Sequence, residues 1–127
     1  MASAPKVLLI EDYDDNARIM IRSLEPHGFE IFRAIDGETG LRLAIEKRPD
    51  IILLDLGLPD VEGQTIAGLI RSRPDLAAVP VVAVTAWPPD TARYMAQAYG
   101  CAGYISKPID VLKFPEQVKD YLKDAAS

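Results

Sequence analysis

The chain has 127 residues and a mass of 13.9 kDa, with 49% hydrophobic and 26% charged residues. That is the size of one compact domain, expected to span 1–127, and the composition of a globular protein; it excludes a disordered, collagen-like or membrane-spanning chain. Fourteen basic residues against nineteen acidic ones leave a net charge of −5 and a pI near 4.8. Phosphate backbones attract basic faces, so nucleic acid is not expected as a direct partner, and a cation or a basic surface fits better.

The single Cys101 cannot form an internal disulfide. The apolar start at residues 7–10 is too short for a signal peptide and runs into two acids, so a cytoplasmic location without membrane attachment is expected.

Short apolar runs alternate with amphipathic stretches five times, the pattern of a parallel sheet covered on both faces. A tail at residues 1–4 is expected to be disordered. Residues 6–10 read as the first strand, and beyond the acidic segment 11–15 the positions Ala17, Met20, Ile21 and Leu24 recur at helical spacing until Pro26 and Gly28 end the helix. Residues 30–34 predict a weaker strand near an edge. The helix after it opens at Asp36 and Gly37, carries Leu41, Ala44 and Ile45 as its stripe, and stops before Pro49.

Residues 51–54 are apolar at every position, which predicts a central strand buried on both faces, with Asp55 at its carboxyl end. A loop with Gly57, Pro59 and Gly63 leads to a third helix marked by Ile66, Leu69 and Ile70. Residues 81–84 form a fourth strand ended by Thr85, and a fourth helix follows Pro88 and Pro89 with a poor stripe of Met95, Ala98 and Tyr99. Residues 103–106 form the fifth strand, left through Lys107 and Pro108. Phe114, Val118, Tyr121 and Leu122 mark the last helix.

In an open α/β sheet, ligands bind outside the carboxyl ends of the strands. Glu11, Asp12, Asp55, Thr85 and Lys107 all fall there. One acid between a strand and a helix is commonly a helix cap. Three are harder to explain that way, since carboxylates about 4 Å apart repel by around 4 kcal/mol at an effective dielectric of 20. Such a cluster calls for a cation, and oxygen-only donors favour Mg²⁺ or Mn²⁺ over zinc.

Four segments carry a resemblance: Leu9, Ile10, Glu11 and Asp12; residues 54–63; Val84, Thr85 and Ala86; and residues 104–108. In this order and spacing they resemble the receiver domains of two-component response regulators over essentially the whole chain, and most closely the stand-alone, single-domain members. The resemblance implies a flavodoxin-like, doubly wound (βα)5 fold with a five-stranded parallel sheet in the order 2-1-3-4-5. It implies Asp55 as phosphoacceptor, and Mg²⁺, with Mn²⁺ as substitute, held by Asp12, Asp55 and the Gly57 carbonyl directly and by Glu11 through water. Thr85 and Lys107 would grip the phosphoryl oxygens, and Lys107-Pro108 would be a cis peptide. Thr85 and Tyr104 would form the switch.

A histidine kinase or histidine phosphotransfer protein would lie upstream. An unidentified protein downstream would bind the face made by the fourth helix, fifth strand and fifth helix, and the chain would be a monomer or weak dimer. Such a protein is a self-catalysing phosphoacceptor rather than an enzyme acting on a substrate. Its rivals are a pseudo-receiver that works without phosphate and two enzymes on related sheets. A flavodoxin needs a Thr/Ser/Gly phosphate loop where residues 11–15 stand, and a haloacid-dehalogenase-like phosphatase needs a second Asp where Gly57 stands. Gly57, Trp87 with Pro88 and Pro89, and Ile109 depart from the common receiver pattern, and the departures bear on phosphate lifetime and loop movement. Cys101, His27 and the methionines read as packing or turn residues.

Overall fold

A computed structural model describes residues 4–57 and 63–126. Residues 1–3 of the expected tail, and Pro59 of the expected loop, lie outside the described residues. Five strands, β1 (Lys6–Ile10), β2 (Glu30–Ala34), β3 (Ile51–Asp55), β4 (Val81–Thr85) and β5 (Gly103–Ser106), alternate with helices α1 (Asp14–Leu24), α2 (Gly37–Lys47), α3 (Gly63–Ser72), α4 (Pro89–Ala98) and α5 (Phe114–Ala126). All strands pair in parallel, in the order β2-β1-β3-β4-β5. The order and the doubly wound architecture agree with the sequence reading, including β3 at the centre and β2 at an edge.

The three inner strands are buried at nearly every position because both sheet faces are covered. Strand side chains alternate, so one face collects Val7, Leu9, Ile51, Leu53, Val82, Val84 and Ile105 against Ala17, Met20 and Leu24 of α1 and Phe114 and Val118 of α5. The other collects Leu8, Ile10, Ile52, Leu54 and Val81 against Ala44 of α2 and Ile66, Ala67 and Ile70 of α3. Each fully buried Leu or Ile contributes roughly 1.5–3 kcal/mol.

In three helices small residues share or take over the inward stripe that the large residues mark. In α2 the buried positions are Gly37, Gly40 and Ala44, while Leu41 and Ile45 flank the contact half-buried. The helix lies so close to β1 that a Cβ on Gly40 would stand 2.6 Å from Ile10 Cδ1. In α3, Ile66 and Ile70 are buried as expected, Ala67 is buried beside them, and Leu69 is 43% exposed. In α4 the buried residues are Ala92 and Ala96; Met95 and Tyr99 are half-buried and Ala98 is exposed. Close approach of helix to sheet selects the smallest side chains along the contact line, and hydrophobic size alone does not reveal them. After α1 the chain turns through one 3-10 turn, Glu25–His27, and Gly28 takes φ 84°, a left-handed conformation that glycine adopts without penalty.

Candidate functional site

Every candidate side chain except Tyr104 stands where a strand runs out. Glu11 follows β1, Asp55 ends β3, Thr85 ends β4, and Lys107 follows β5. Neither Glu11 nor Asp12 caps a helix: the residue before α1 is Tyr13, and no side chain caps that end. The contrast is Asp36, whose carboxylate accepts from the Thr39 N–H at 2.8 Å at the start of α2. The ordinary explanation for acids in strand-to-helix loops therefore does not account for this pair.

Glu11 is fully buried and Asp12 exposed, while the Asp55 side chain keeps 13% of its surface. One carboxylate oxygen from each of the three lies within 4.8 Å of the others. Lys107 reaches into this group, with Nζ 2.9 Å from Glu11 Oε1 and 3.5 Å from Asp55 Oδ1. Glu11 Oε2 accepts from the Tyr13 N–H at 3.3 Å, and Asp55 Oδ1 accepts from the Gly57 N–H at 3.0 Å.

Buried Glu11 and half-buried Asp55 respond in opposite directions. Burial pushes the Glu11 carboxyl above its usual range, with the neighbouring Asp55 adding to the rise and Lys107 opposing it. Burial also pushes Asp55 up, but hydrogen bonds from Glu11 and the Gly57 N–H, together with the Lys107 charge, outweigh it and hold that carboxyl low. The site thus favours the charged form of Asp55 more than that of Glu11.

The Lys107-Pro108 peptide is cis. The Lys107 N–H donates to the Thr85 carbonyl at 2.8 Å, joining the exits of β4 and β5. The Thr85 side chain is buried, and its Oγ1 accepts from the Trp87 N–H at 3.0 Å. Tyr104 is half-buried on β5, in register with Ala83, and its carbonyl accepts from the Tyr121 hydroxyl at 3.4 Å. It lies on the strand that delivers Lys107 but outside the acid cluster.

One functional contact escaped the sequence reading. The Arg33 guanidinium, from β2, donates to the Glu11 carbonyl from Nε at 3.1 Å and from Nη2 at 2.9 Å, and to Asp14 Oδ1 from Nη1 at 2.7 Å. An Arg following the apolar pair Ile31 and Phe32 in an edge strand was the available signal, but its partner, 22 residues away, is set by strand pairing.

The sequence profile of the response regulator receiver domain matches residues 7–119. The chain belongs to the receiver-domain family of response regulators. It is 39% identical over 119 residues to the polar-differentiation response regulator DivK of Brucella anthropi, covering 94% of this chain and 97% of that one. In structure it resembles a chain described as a response regulator from Chloroflexus aurantiacus J-10-fl, with a TM-score of 0.90 and 26% identity over 95% of this chain and 99% of that one. It shares its fold with the chemotaxis response regulator CheY4 of Vibrio cholerae, at a TM-score of 0.87 and 22% identity over 93% and 98% of the two chains.

Receivers are signalling proteins of two-component systems, and the family binds Mg²⁺ in an acidic pocket; this receiver carries an acidic cluster of Glu11, Asp12 and Asp55 at the carboxyl ends of its strands. Its donors are all oxygen, which suits a hard divalent cation. No helix among the described residues is long and apolar enough to cross a membrane.

Proposed function

We infer that this receiver accepts a phosphoryl group on Asp55 in a Mg²⁺-dependent step and signals by binding another protein. The observation that carries this reading is the imbalance at the carboxyl end of the sheet, where three carboxylates, one of them fully buried, gather beside one lysine and neither Glu11 nor Asp12 caps α1. Asp12, Asp55 and the Gly57 carbonyl would hold Mg²⁺, with Glu11 acting through water; the ion supplies neutralisation of the charge that builds up between nucleophile and phosphoryl. Manganese would serve in its place.

In the transfer itself, an Asp55 carboxylate oxygen forms a bond to phosphorus as the bond from phosphorus to the donor's imidazole nitrogen breaks. That nitrogen takes up a proton. The Lys107 ammonium and the Thr85 hydroxyl then bond the new phosphoryl oxygens. Charge-assisted bonds are worth roughly 1.5–3 kcal/mol each, while moving a two-state equilibrium from 1:99 to 99:1 takes around 5.5 kcal/mol. Lys107 already bonds Glu11, so its transfer to the phosphoryl exchanges one contact for another. The Thr85 bond then adds about 1.5–3 kcal/mol, roughly half of a full shift at most, and the rest comes from repacking of Tyr104 and the face formed by α4, β5 and α5.

Upstream, the donor is a histidine kinase or a histidine phosphotransfer protein, and an unidentified protein binds downstream. Exposed apolar side chains around the site favour protein partners: Tyr13 beside the acids, Trp87 two residues past Thr85, and Ile19, which lines a cavity of about 70 Å³ together with Lys107. The protein acts in the cytoplasm as a monomer or weak dimer.

Intact mass measured after incubation with Mg²⁺ and acetyl phosphate tests the reading. A single phosphate adduct is expected in the wild type and none in Asp55→Asn. No adduct in the wild type, with a cognate kinase also supplied, would favour a receiver that works without phosphate.

A further inference from the structure

Asp12 sits in a three-residue link between β1 and α1, and its position depends on what fixes that link. Both peptide groups of Glu11 are tied to β2: its N–H donates to the Ala34 carbonyl at 3.0 Å, and its carbonyl accepts the two Arg33 bonds. The same guanidinium reaches past Asp12 to Asp14 at the start of α1. Arg33 therefore holds the chain on both sides of the pair Asp12 and Tyr13, by the backbone carbonyl of Glu11 and the side chain of Asp14.

The grip is well placed to be firm. The Arg33 side chain is 22% exposed, its stem lies on a strand in register with Leu9, and two donors of its planar fork hold the Glu11 carbonyl at 2.9–3.1 Å; the third reaches Asp14, whose side chain is 75% exposed, so the Glu11 contacts carry most of the grip. A single ammonium could not span the two acceptors in this way.

We propose that Arg33 is a positioning residue for cation binding, holding the β1–α1 link so that Asp12 is presented to Mg²⁺ in a preformed place. The proposal rests on the reading of the acid cluster as a Mg²⁺ site. It makes a prediction opposite to that of simple electrostatics. A guanidinium near a cation site repels the cation, so its charge alone would make removal of Arg33 strengthen Mg²⁺ binding. A positioning role makes removal weaken it.

Mg²⁺ affinity, measured by titration calorimetry on wild type, Arg33→Ala, Arg33→Lys and Asp12→Ala, separates the alternatives. Loss of groups that orient metal ligands costs 10–100-fold in affinity, so about tenfold weaker binding is expected for both Arg33 variants. Amide hydrogen exchange at Tyr13 and Asp14 should quicken in both without metal, with the far-ultraviolet circular dichroism of the fold retained. Equal or tighter binding by Arg33→Ala overturns the proposal, and so does wild-type affinity in Arg33→Lys, which keeps the charge and loses the fork. Should Arg33→Ala fail to fold, Arg33→Lys decides alone. If Asp12→Ala binds Mg²⁺ as the wild type does, the metal site itself has been misassigned, a failure distinct from that of Arg33.

Discussion

The two ends of the sheet handle charge differently. At the amino ends of the strands, acids meet partners of opposite sign or backbone donors: Asp50 accepts from the Lys6 N–H at 2.7 Å, and Asp75 lies 3.2 Å from Arg73 and 3.9 Å from Arg48. Arg71 there donates to the Gly100 carbonyl at 2.7 Å. At the carboxyl ends, Glu11, Asp12 and Asp55 crowd together around the single ammonium of Lys107. The carboxyls respond accordingly. Arg73 holds Asp75 below its usual range, whereas burial drives Glu11 above its own. One end is arranged for stability, and the other keeps an excess of like charge that folding alone would remove.

The sharpest way to break this contrast is to take away the cation that, alone among the described residues, is bonded to the Glu11 carboxylate. Removing one partner of a buried pair leaves an uncompensated charge, so Lys107→Met should lower stability by about 3 kcal/mol at pH 7 in EDTA, read from urea denaturation. A buried acid whose folded pKa is raised costs nothing below its unfolded value, here 4.5, and costs more as pH rises through the folded value. The deficit of Lys107→Met should therefore shrink from pH 7 to pH 5. A deficit that is small, or constant with pH, would mean that Glu11 does not carry its charge against Lys107.

Removing an acid should have opposite signs at the two ends. Asp50→Ala loses a bonded carboxylate and should cost about 1 kcal/mol, while Asp12→Ala relieves repulsion at a partly screened site and should raise metal-free stability by up to about 1 kcal/mol. Adding Mg²⁺ should raise the melting temperature of the wild type and leave Asp12→Ala nearly unchanged. Two variants of the same sign would erase the distinction between the ends.

The smallest effect concerns Cys101, at the quiet end just before β5. Burial pushes its thiol up to about 11 from 9.0. Roughly 100-fold less thiolate than an unburied thiol, partly offset by greater intrinsic nucleophilicity, predicts alkylation about tenfold slower at pH 8. Folded and urea-unfolded protein treated with iodoacetamide should differ by at least that factor. Equal rates would make this end reactive after all.

Much of this protein is determined by its sequence alone. Continuous apolar runs at 7–10, 51–54 and 81–84 can be satisfied only by strands buried on both faces, and the polar residues that stop those runs must lie at one edge of the sheet. That reasoning placed Glu11, Asp12, Asp55, Thr85 and Lys107 together before any coordinates, because strand direction fixes which end each occupies. Tertiary structure decided what periodicity cannot express. Gly40 rather than Leu41 faces the sheet because α2 approaches Ile10 too closely for a larger residue, and Leu69 is left exposed where Ala67 fits. Arg33 and Glu11 meet because β1 and β2 align Leu9 with Arg33 and Ile10 with Ala34. Hydrophobic pattern is a property of one element, whereas contact distance and register belong to pairs of elements, and those pairs exist only once the chain has folded.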